Sequence, residues 1–192
     1  MGERPYKTLK MVSYVVSSTR EAIGKVREAA LDVIKRMGVA VNLKDLELVL
    51  NETLTNALLY GNLGIPSDLR ESRGVDAFWK TVAEREQDSQ FHSKEIVLRM
   101  ECLEDRLLLA VRDQGEGFDW KGLMRRAIDE DKDAGADHSQ RLATHGRGLF
   151  IVRHYVDELT WNEKGNEVRF AIRFSPEMAG QQAEEKDSND RC

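Results

Sequence analysis

Residues 111–117 have the sequence VRDQGEG, in which an apolar strand ends at Asp113 and two glycines follow at alternate positions. Glycine admits positive φ and allows a ligand to approach the backbone closely. A carboxylate at the end of a strand can accept a hydrogen bond from an exocyclic amine of a bound base. The pattern indicates a binding loop formed by Asp113, Gly115 and Gly117. A polar turn that closes a strand has the same composition and is the alternative.

A second polar pair lies upstream, on a helix predicted from Asn42 to about Gly61. Glu52 and Asn56 are four residues apart, so both side chains project from one face, away from the apolar stripe. A carboxylate and an amide oxygen there could hold a divalent cation or orient a water molecule, and Mg²⁺ prefers oxygen donors. An ordinary solvated helix face is the alternative explanation of this pair taken alone.

A third motif, THGRGL at residues 144–149, opens a helix predicted over residues 148–156. The N–H groups of Gly146 and Gly148 and the positive end of the helix dipole are suited to phosphate oxygens. No Gly-Lys-Ser/Thr follows, which excludes a Walker A loop. Arg147 is the first candidate for a cation that reaches a terminal phosphate, with a solvated charge as the alternative. Other candidate cations of this region are Arg125, Arg126, Lys132 and Arg141.

The order of the predicted elements indicates the fold class. A strand is followed by two helices, an irregular stretch, a hairpin, a long charged loop, a helix and a last hairpin. This order predicts an α+β fold, a two-layer α/β sandwich whose mixed, mostly antiparallel sheet carries helices on one face. The predicted boundaries are a strand at 9–16, a helix that Ser18 and Glu21 cap and Gly38 ends, a short helix at 75–86 and hairpins at 95–111 and 158–174.

Composition limits the class of protein. The 192 residues include 41% hydrophobic and 33% charged residues, as in a soluble globular domain. The net charge of −5 argues against nucleic acid as the main partner. No apolar run approaches the ~20 residues that cross a membrane, and no signal peptide is evident, so a cytoplasmic location is expected. We expect a single domain at 1–178 and a disordered polar tail at 179–192.

The three motifs, in their order and separation, resemble the N, G1 and G2 boxes of the Bergerat-fold (GHKL) ATPases and kinases. NETLTNALLYGN at residues 51–62 looks closest to the N box of the anti-sigma-factor serine/threonine kinases. GRGLFIVRHYVDEL at residues 146–159 resembles the G2 box of that branch. The resemblance extends over about residues 8–174. It implies a Bergerat fold like the ATPase domain of histidine kinases, with ATP and Mg²⁺ as cofactors.

The resemblance also implies roles for the residues. Asn56 would coordinate Mg²⁺ between the phosphates, and Glu52 would be the catalytic residue that orients or deprotonates the attacking hydroxyl or water. Asp113 would recognise N6 of adenine. The remaining nucleotide-binding positions are Gly115 and Gly117 around the base, and Gly146, Arg147 and Gly148 around the phosphates, under a lid formed by residues 118–145.

The function implied by the resemblance is that of an ATP-binding regulatory serine/threonine kinase of the anti-sigma-factor type. Such a kinase phosphorylates a STAS-like antagonist, an anti-anti-sigma protein, in a partner-switching pathway, and binds a sigma factor or other signalling regulator. A homodimer is compatible with this branch. The alternatives are a non-catalytic ATP-dependent protein-interaction module and a stand-alone histidine-kinase-type catalytic domain that acts in trans.

The chain departs from the branch at several positions. Tyr60 stands where histidine is usual, and Asn166-Glu167 stands where Gly-Thr is frequent, with the Thr near the adenine. An acidic Glu167 near the purine would be tolerated if it pointed to solvent. An insert at residues 63–94 is longer than a minimal kinase of this type needs. Within it, Phe78 and Trp79 either cover the core or the sheet edge, or form a partner-binding surface.

Overall fold

The computed structural model describes residues 8–122 and 147–174. The rest of the chain, including Gly146, most of the expected lid and the tail, lies outside this description. The elements are β1 (Lys10–Ser17), α1 (Arg20–Met37), α2 (Leu43–Asn56), a π-helical segment (Ala57–Asn62), α3 (Leu69–Gln87), α4 (Ser89–His92), β2 (Glu95–Cys102), β3 (Arg106–Arg112), α5 (Arg147–Tyr155), β4 (Glu158–Trp161) and β5 (Glu167–Arg173).

The strands form one sheet in the order β1-β2-β3-β5-β4, and each of these pairings is antiparallel. Alternate side chains of β2 and β3 are buried, as the period of two in the sequence predicts. Helices α1 and α2 bury apolar residues at helical spacing against the same core. The predicted two-layer α+β sandwich is therefore confirmed. The core includes Ile34, Leu46, Leu50, Leu54, Ile96, Leu98, Met100 and Leu107.

The start of α1 differs from the sequence prediction by one residue. The side chain of Thr19, not of Ser18, caps the helix by accepting a hydrogen bond of 3.1 Å from the N–H of Ala22. Ser18 is fully buried. Its Oγ donates to the carbonyl oxygen of Lys94 at 2.8 Å and accepts from Nδ2 of Asn62 at 2.7 Å. The capping box was wrong because contacts between distant segments use the Ser18 hydroxyl.

The insert forms a longer helix than predicted. The helix expected at residues 75–86 is present within α3, which begins at Leu69 and is kinked at Gly74, where φ is 84°. Phe78 is buried in the core, whereas Trp79 is 43% exposed. Nη1 of Arg85 donates to the carbonyl oxygen of Leu63 at 2.5 Å. The start of α3 could not be predicted from the spacing of apolar residues, because its charged first turn and Gly74 add nothing to the apolar stripe.

Candidate functional site

The contact between α2 and α5 brings two of the predicted motifs together. Glu52 and Asn56 lie on α2, and Gly148 lies in the first turn of α5. A Cβ atom added to Gly148 would lie 2.5 Å from Oε2 of Glu52 and 3.4 Å from Nδ2 of Asn56. The missing side chain therefore lets the start of α5 approach both polar groups of α2.

Glu52 and Asn56 reach this contact without other polar partners. Within residues 8–122 and 147–174, neither side chain makes a hydrogen bond or an ion pair, and both residues are half-buried. Burial raises the pKa of the Glu52 carboxyl above its ordinary value. A half-buried carboxylate without a partner is suited to accept a proton from a group bound beside it.

Asp113 follows β3 and is only 9% exposed. One of its carboxylate oxygens accepts a hydrogen bond of 2.8 Å from the N–H of Gly115. Desolvation raises the pKa of Asp113 from its ordinary value of 3.8 to about 6, against the opposing effect of the Gly115 hydrogen bond. A buried carboxylate whose charge is this costly is typical of a functional group.

The π-helical segment joins the end of α2 to the Asp113 loop. A Cβ atom added to Gly61 would lie 2.5 Å from Cγ of Asp113. The backbone of Gly115 packs against the carbonyl group of Gly61. π-Helical segments are rare in proteins, and many of those that occur lie at functional sites. Helix α2 and its π-helical extension thus contact both Gly148 and Asp113, so the motifs predicted from separate parts of the chain surround one helix.

Asn62 is a residue of this junction that sequence reasoning missed. Its side chain is fully buried. Oδ1 accepts a hydrogen bond of 2.6 Å from the N–H of Gln114, and Nδ2 donates to Ser18 and to the carbonyl oxygen of Glu95. One amide therefore ties together the end of the helix, β2 and the Asp113 loop. Its position at the end of the N box indicated a role in the site, but the spacing of residues along the chain could not show which groups it would bind.

The β4–β5 turn supports the Asp113 loop from the other side. Nδ2 of Asn166 donates to the carbonyl oxygen of Asp113 at 2.8 Å, and the N–H of Asp113 donates to the carbonyl oxygen of Asn166 at 3.0 Å. Oδ1 of Asn162 accepts hydrogen bonds from the N–H groups of residues 165–167 and holds the turn. The departure from Gly-Thr at Asn166 thus supplies a buried side chain that fixes the backbone of Asp113.

Glu167 lies on the face of the sheet opposite to Asp113. It pairs in register with Arg112. The pairs Val111–Val168 and Leu109–Phe170 lie on the other face of the sheet, which packs in the core. Its side chain is 5% exposed and forms an ion pair of 2.5 Å with Arg169. Glu167 therefore does not point to solvent; it is buried beside Arg169, on the face away from Asp113.

Gly117 allows the Asp113 loop to pack against the β4–β5 turn. Its φ is 79°, and a Cβ atom there would overlap the carbonyl group of Lys164. We expect Gly117→Ala to lower the free energy of unfolding by at least about 2 kcal/mol, since a left-handed residue with a Cβ is strained by about 1–2 kcal/mol and the overlap adds to this strain. Urea unfolding followed by circular dichroism measures the change.

Gly24 on α1 provides the matched control for this substitution. A Cβ atom at Gly24 meets no atom within 4 Å. Alanine is favoured over glycine inside a helix, so Gly24→Ala is expected to raise the free energy of unfolding by about 0.5–1 kcal/mol. Similar changes for the two variants would contradict the close packing at Gly117.

Part of the predicted site cannot be placed. Gly146 and the lid cations Arg125, Arg126, Lys132 and Arg141 lie outside the described residues. Arg147 begins α5, but its side chain is outside the description as well. Their roles at the phosphates stay predictions.

The described donors fit a nucleotide with its metal ion. The first turn of α5 presents backbone N–H groups and the positive end of the helix dipole, which suits phosphate oxygens. Glu52 and Asn56 offer the oxygen donors that Mg²⁺ prefers. The described residues contain no cluster of three or more His, Cys, Asp or Glu side chains for a metal ion. A metal ion at Asn56 would therefore complete its coordination with ligand phosphates and water.

A family model described as the histidine kinase-like ATPase domain matches residues 16–172. The chain belongs to this family. The serine-protein kinase RsbW of Bacillus pumilus (strain SAFR-032) is 25% identical over 154 residues, which are 80% of this chain and 78% of the relative. The serine-protein kinase RsbW of Staphylococcus aureus (strain Newman) is 24% identical over 152 residues, which are 78% of each chain.

Membership of the histidine kinase-like ATPase domain family implies that the protein binds ATP. The match covers α2, the Asp113 loop and α5, the elements that meet in the structure.

Tyr60 is 46% exposed on the π-helical segment, and burial raises the pKa of its hydroxyl. No helix in the described part of this family member is long and apolar enough to cross a membrane.

Proposed function

We propose that the protein is an ATP-dependent serine/threonine kinase of the anti-sigma-factor type, which phosphorylates a STAS-like regulatory protein. The observation that carries the proposal is the Glu52 carboxylate, which has no polar partner within the described residues and lies against the first turn of α5. Relatives that cover most of the chain are serine-protein kinases. In its other state, the kinase binds a sigma factor or another regulator.

Each described site residue has a role in this proposal. Asp113 accepts a hydrogen bond from N6 of adenine, and the N–H groups at the start of α5 hold phosphate oxygens. Asn56 supplies an oxygen ligand to Mg²⁺, which neutralises phosphate charge when bound. Glu52 accepts the proton of the substrate hydroxyl as that oxygen bonds to the terminal phosphorus, while the bond from this phosphorus to the bridging oxygen breaks and ADP leaves. Phosphoryl transfer needs positioning and charge stabilisation more than covalent help, so this small set is sufficient.

Transfer of label from ATP tests the proposed activity. The full chain is incubated with γ-labelled ATP, Mg²⁺ and a panel of purified STAS-domain proteins. We expect label on a serine or threonine of a STAS protein, and none when Mg²⁺ is chelated. Stoichiometric ATP binding without transfer to any STAS protein would instead support a non-catalytic interaction module. Transfer only to a histidine of a phosphotransfer protein would support a catalytic domain that acts in trans.

The role of Asn56 is tested by Asn56→Ala. We expect ATP affinity in the presence of Mg²⁺ to fall at least tenfold, because a hydrogen bond or ligand contact to a charged group contributes about 1.5–3 kcal/mol. Affinity measured in EDTA should change little. Calorimetric titration with and without Mg²⁺ measures both values. Asn51→Ala, on the same helix, is the control, and an equal loss for the two variants would show that Asn56 is not the metal ligand.

A further inference from the structure

A groove of about 290 Å³ lies between α1, α2 and the insert helix α3. Its floor is apolar and is formed by Ile23, Leu54, Leu58 and Leu59. This volume is at the lower limit of the roughly 300–1,000 Å³ that is common for small-molecule sites, so the groove suits a few side chains of a docked segment. The polar and aromatic residues around it are Arg20, Arg27, Asn51, Thr55 and Trp79.

Arg27 is a cation of this groove that forms no ion pair with any residue in the described part of the chain. Its Nη1 donates a hydrogen bond of 2.7 Å to Oδ1 of Asn51, which is neutral. Its Nε is buried and has no hydrogen-bond partner in the described structure. Buried polar atoms are nearly always satisfied, and hydrogen bonds to a carboxylate are among the strongest a guanidinium makes. No carboxylate of the described residues offsets the charge of this guanidinium, so an anionic group in the groove would be attracted to Arg27.

Trp79 of α3 also lines the groove, next to an arginine whose charge is neutralised. The Arg20 guanidinium lies 5.5 Å from the ring centre of Trp79. It forms hydrogen bonds of 2.7–3.1 Å with the carboxylate of Glu86 on α3, which neutralise it. Trp79 is 43% exposed although it lies over an apolar floor. Trp79 and Arg27 line the same groove, and exposed aromatic and arginine side chains are typical anchors of a protein interface.

We propose that this groove docks an acidic segment of a protein partner, in which a carboxylate and a large apolar side chain lie about one helical turn apart. The carboxylate binds Arg27, and the apolar side chain packs on the floor against Trp79. The N-terminal segment does not match this chemistry, because residues 1–7 carry Arg4 and Lys7.

The groove lies beside the candidate nucleotide site. Asn51 and Thr55 line it, and each immediately precedes a site residue, Glu52 or Asn56, on α2. A segment bound there holds its protein next to Glu52. That the docked protein is the kinase substrate rests on the proposed function. The docking itself requires no phosphoryl transfer.

Binding of two matched peptides to the full chain tests the proposal. Both have about 15 residues, near the shortest length at which an isolated helix forms. One carries Leu and Phe with a Glu three or four residues away on the same helix face, and the other has Lys in place of every Glu. We expect saturable binding of the acidic peptide, followed by the indole fluorescence and by chemical-shift changes of Trp79. The basic peptide should bind at least tenfold more weakly.

Variants assign the binding to the groove. We expect Arg27→Gln and Trp79→Ala each to weaken binding of the acidic peptide at least tenfold. Arg36→Gln removes an exposed charge at the other end of α1 and should leave binding unchanged. Asn56→Ala should also bind the peptide normally, which separates docking from the nucleotide site. Circular dichroism verifies the fold of each variant, and exposed Trp79 provides a substitution that is tolerated if Arg27→Gln is unstable.

Several results would overturn the proposal. These are no binding of the acidic peptide, equal binding of the two peptides, or an unchanged affinity in folded Arg27→Gln and Trp79→Ala. Peptide binding that follows this pattern without any label transfer to STAS proteins would support the docking groove and refute the proposed kinase activity. Label transfer without groove-dependent peptide binding would support the kinase activity and refute the docking groove.

Discussion

Replacement of Glu52 by glutamine is expected to lower the rate of label transfer from ATP at least about 100-fold, the lower range for the loss of a general base. Glutamine retains the size of the side chain beside Gly148 but cannot take the substrate proton. ATP affinity should change less than about threefold, because the phosphates and the base contact other groups. Single-turnover transfer to a STAS protein measures the rate, and calorimetry measures the affinity.

Glu47→Gln is the matched control, since Glu47 is an exposed carboxylate on the same helix. It should leave both rate and affinity unchanged. Burial raises the pKa of Glu52, so the wild-type rate should fall on acidification at a higher pH than an exposed glutamate would give. An active Glu52→Gln protein with the wild-type pH profile would mean that Glu52 is not the base.

Asp113→Asn is expected to change nucleotide affinity and stability in opposite directions. ATP affinity should fall about 10–100-fold, because a hydrogen bond that a charged group accepts contributes about 1.5–3 kcal/mol. The ligand-free protein should become more stable at pH 8, since the neutral amide removes a buried charge. Asparagine keeps an oxygen that can accept the hydrogen bond from Gly115.

The sign of the stability effect follows from the pKa of Asp113. The folded state raises it from 3.8 to about 6, so the folded protein binds this proton more tightly than the unfolded chain. The carboxyl therefore reduces stability progressively as the pH rises from about 4 to 6. Above pH 6 the cost reaches up to about 3 kcal/mol, the free energy of this pKa difference.

Urea unfolding of wild type and Asp113→Asn at pH 5 and pH 8 measures this cost. The stabilisation by the variant should be larger at pH 8 than at pH 5. Asp76→Asn, at an exposed position of α3, serves as the control and should give the same small effect at both values. A destabilised Asp113→Asn protein at pH 8 would show that the ionised carboxylate supports the fold, contrary to the expected desolvation cost.

Local patterns were sufficient to predict most elements of the fold. The alternation in β2 and β3 and the apolar spacing in α1 and α2 depend only on which side of each element faces the core. Prediction was weaker where local signals compete, as at Ser18 and Thr19, two adjacent hydroxyl residues that could both cap a helix. The insert was harder still, because Gly74 interrupts α3 and its first turn is charged.

The candidate residues Glu52, Asn56, Asp113 and Gly148 could be recognised from local sequence, because they stand at the positions that their proposed chemistry needs. Which groups meet, and which face they occupy, followed from the tertiary structure. It placed Gly148 against Glu52, buried Asn62 between three segments and turned Glu167 to the far side of the sheet. It also left Nε of Arg27 without a hydrogen-bond partner among the residues that the structure describes. Local periodicity specifies the inward side of an element, whereas such contacts depend on the packing of segments far apart in the chain.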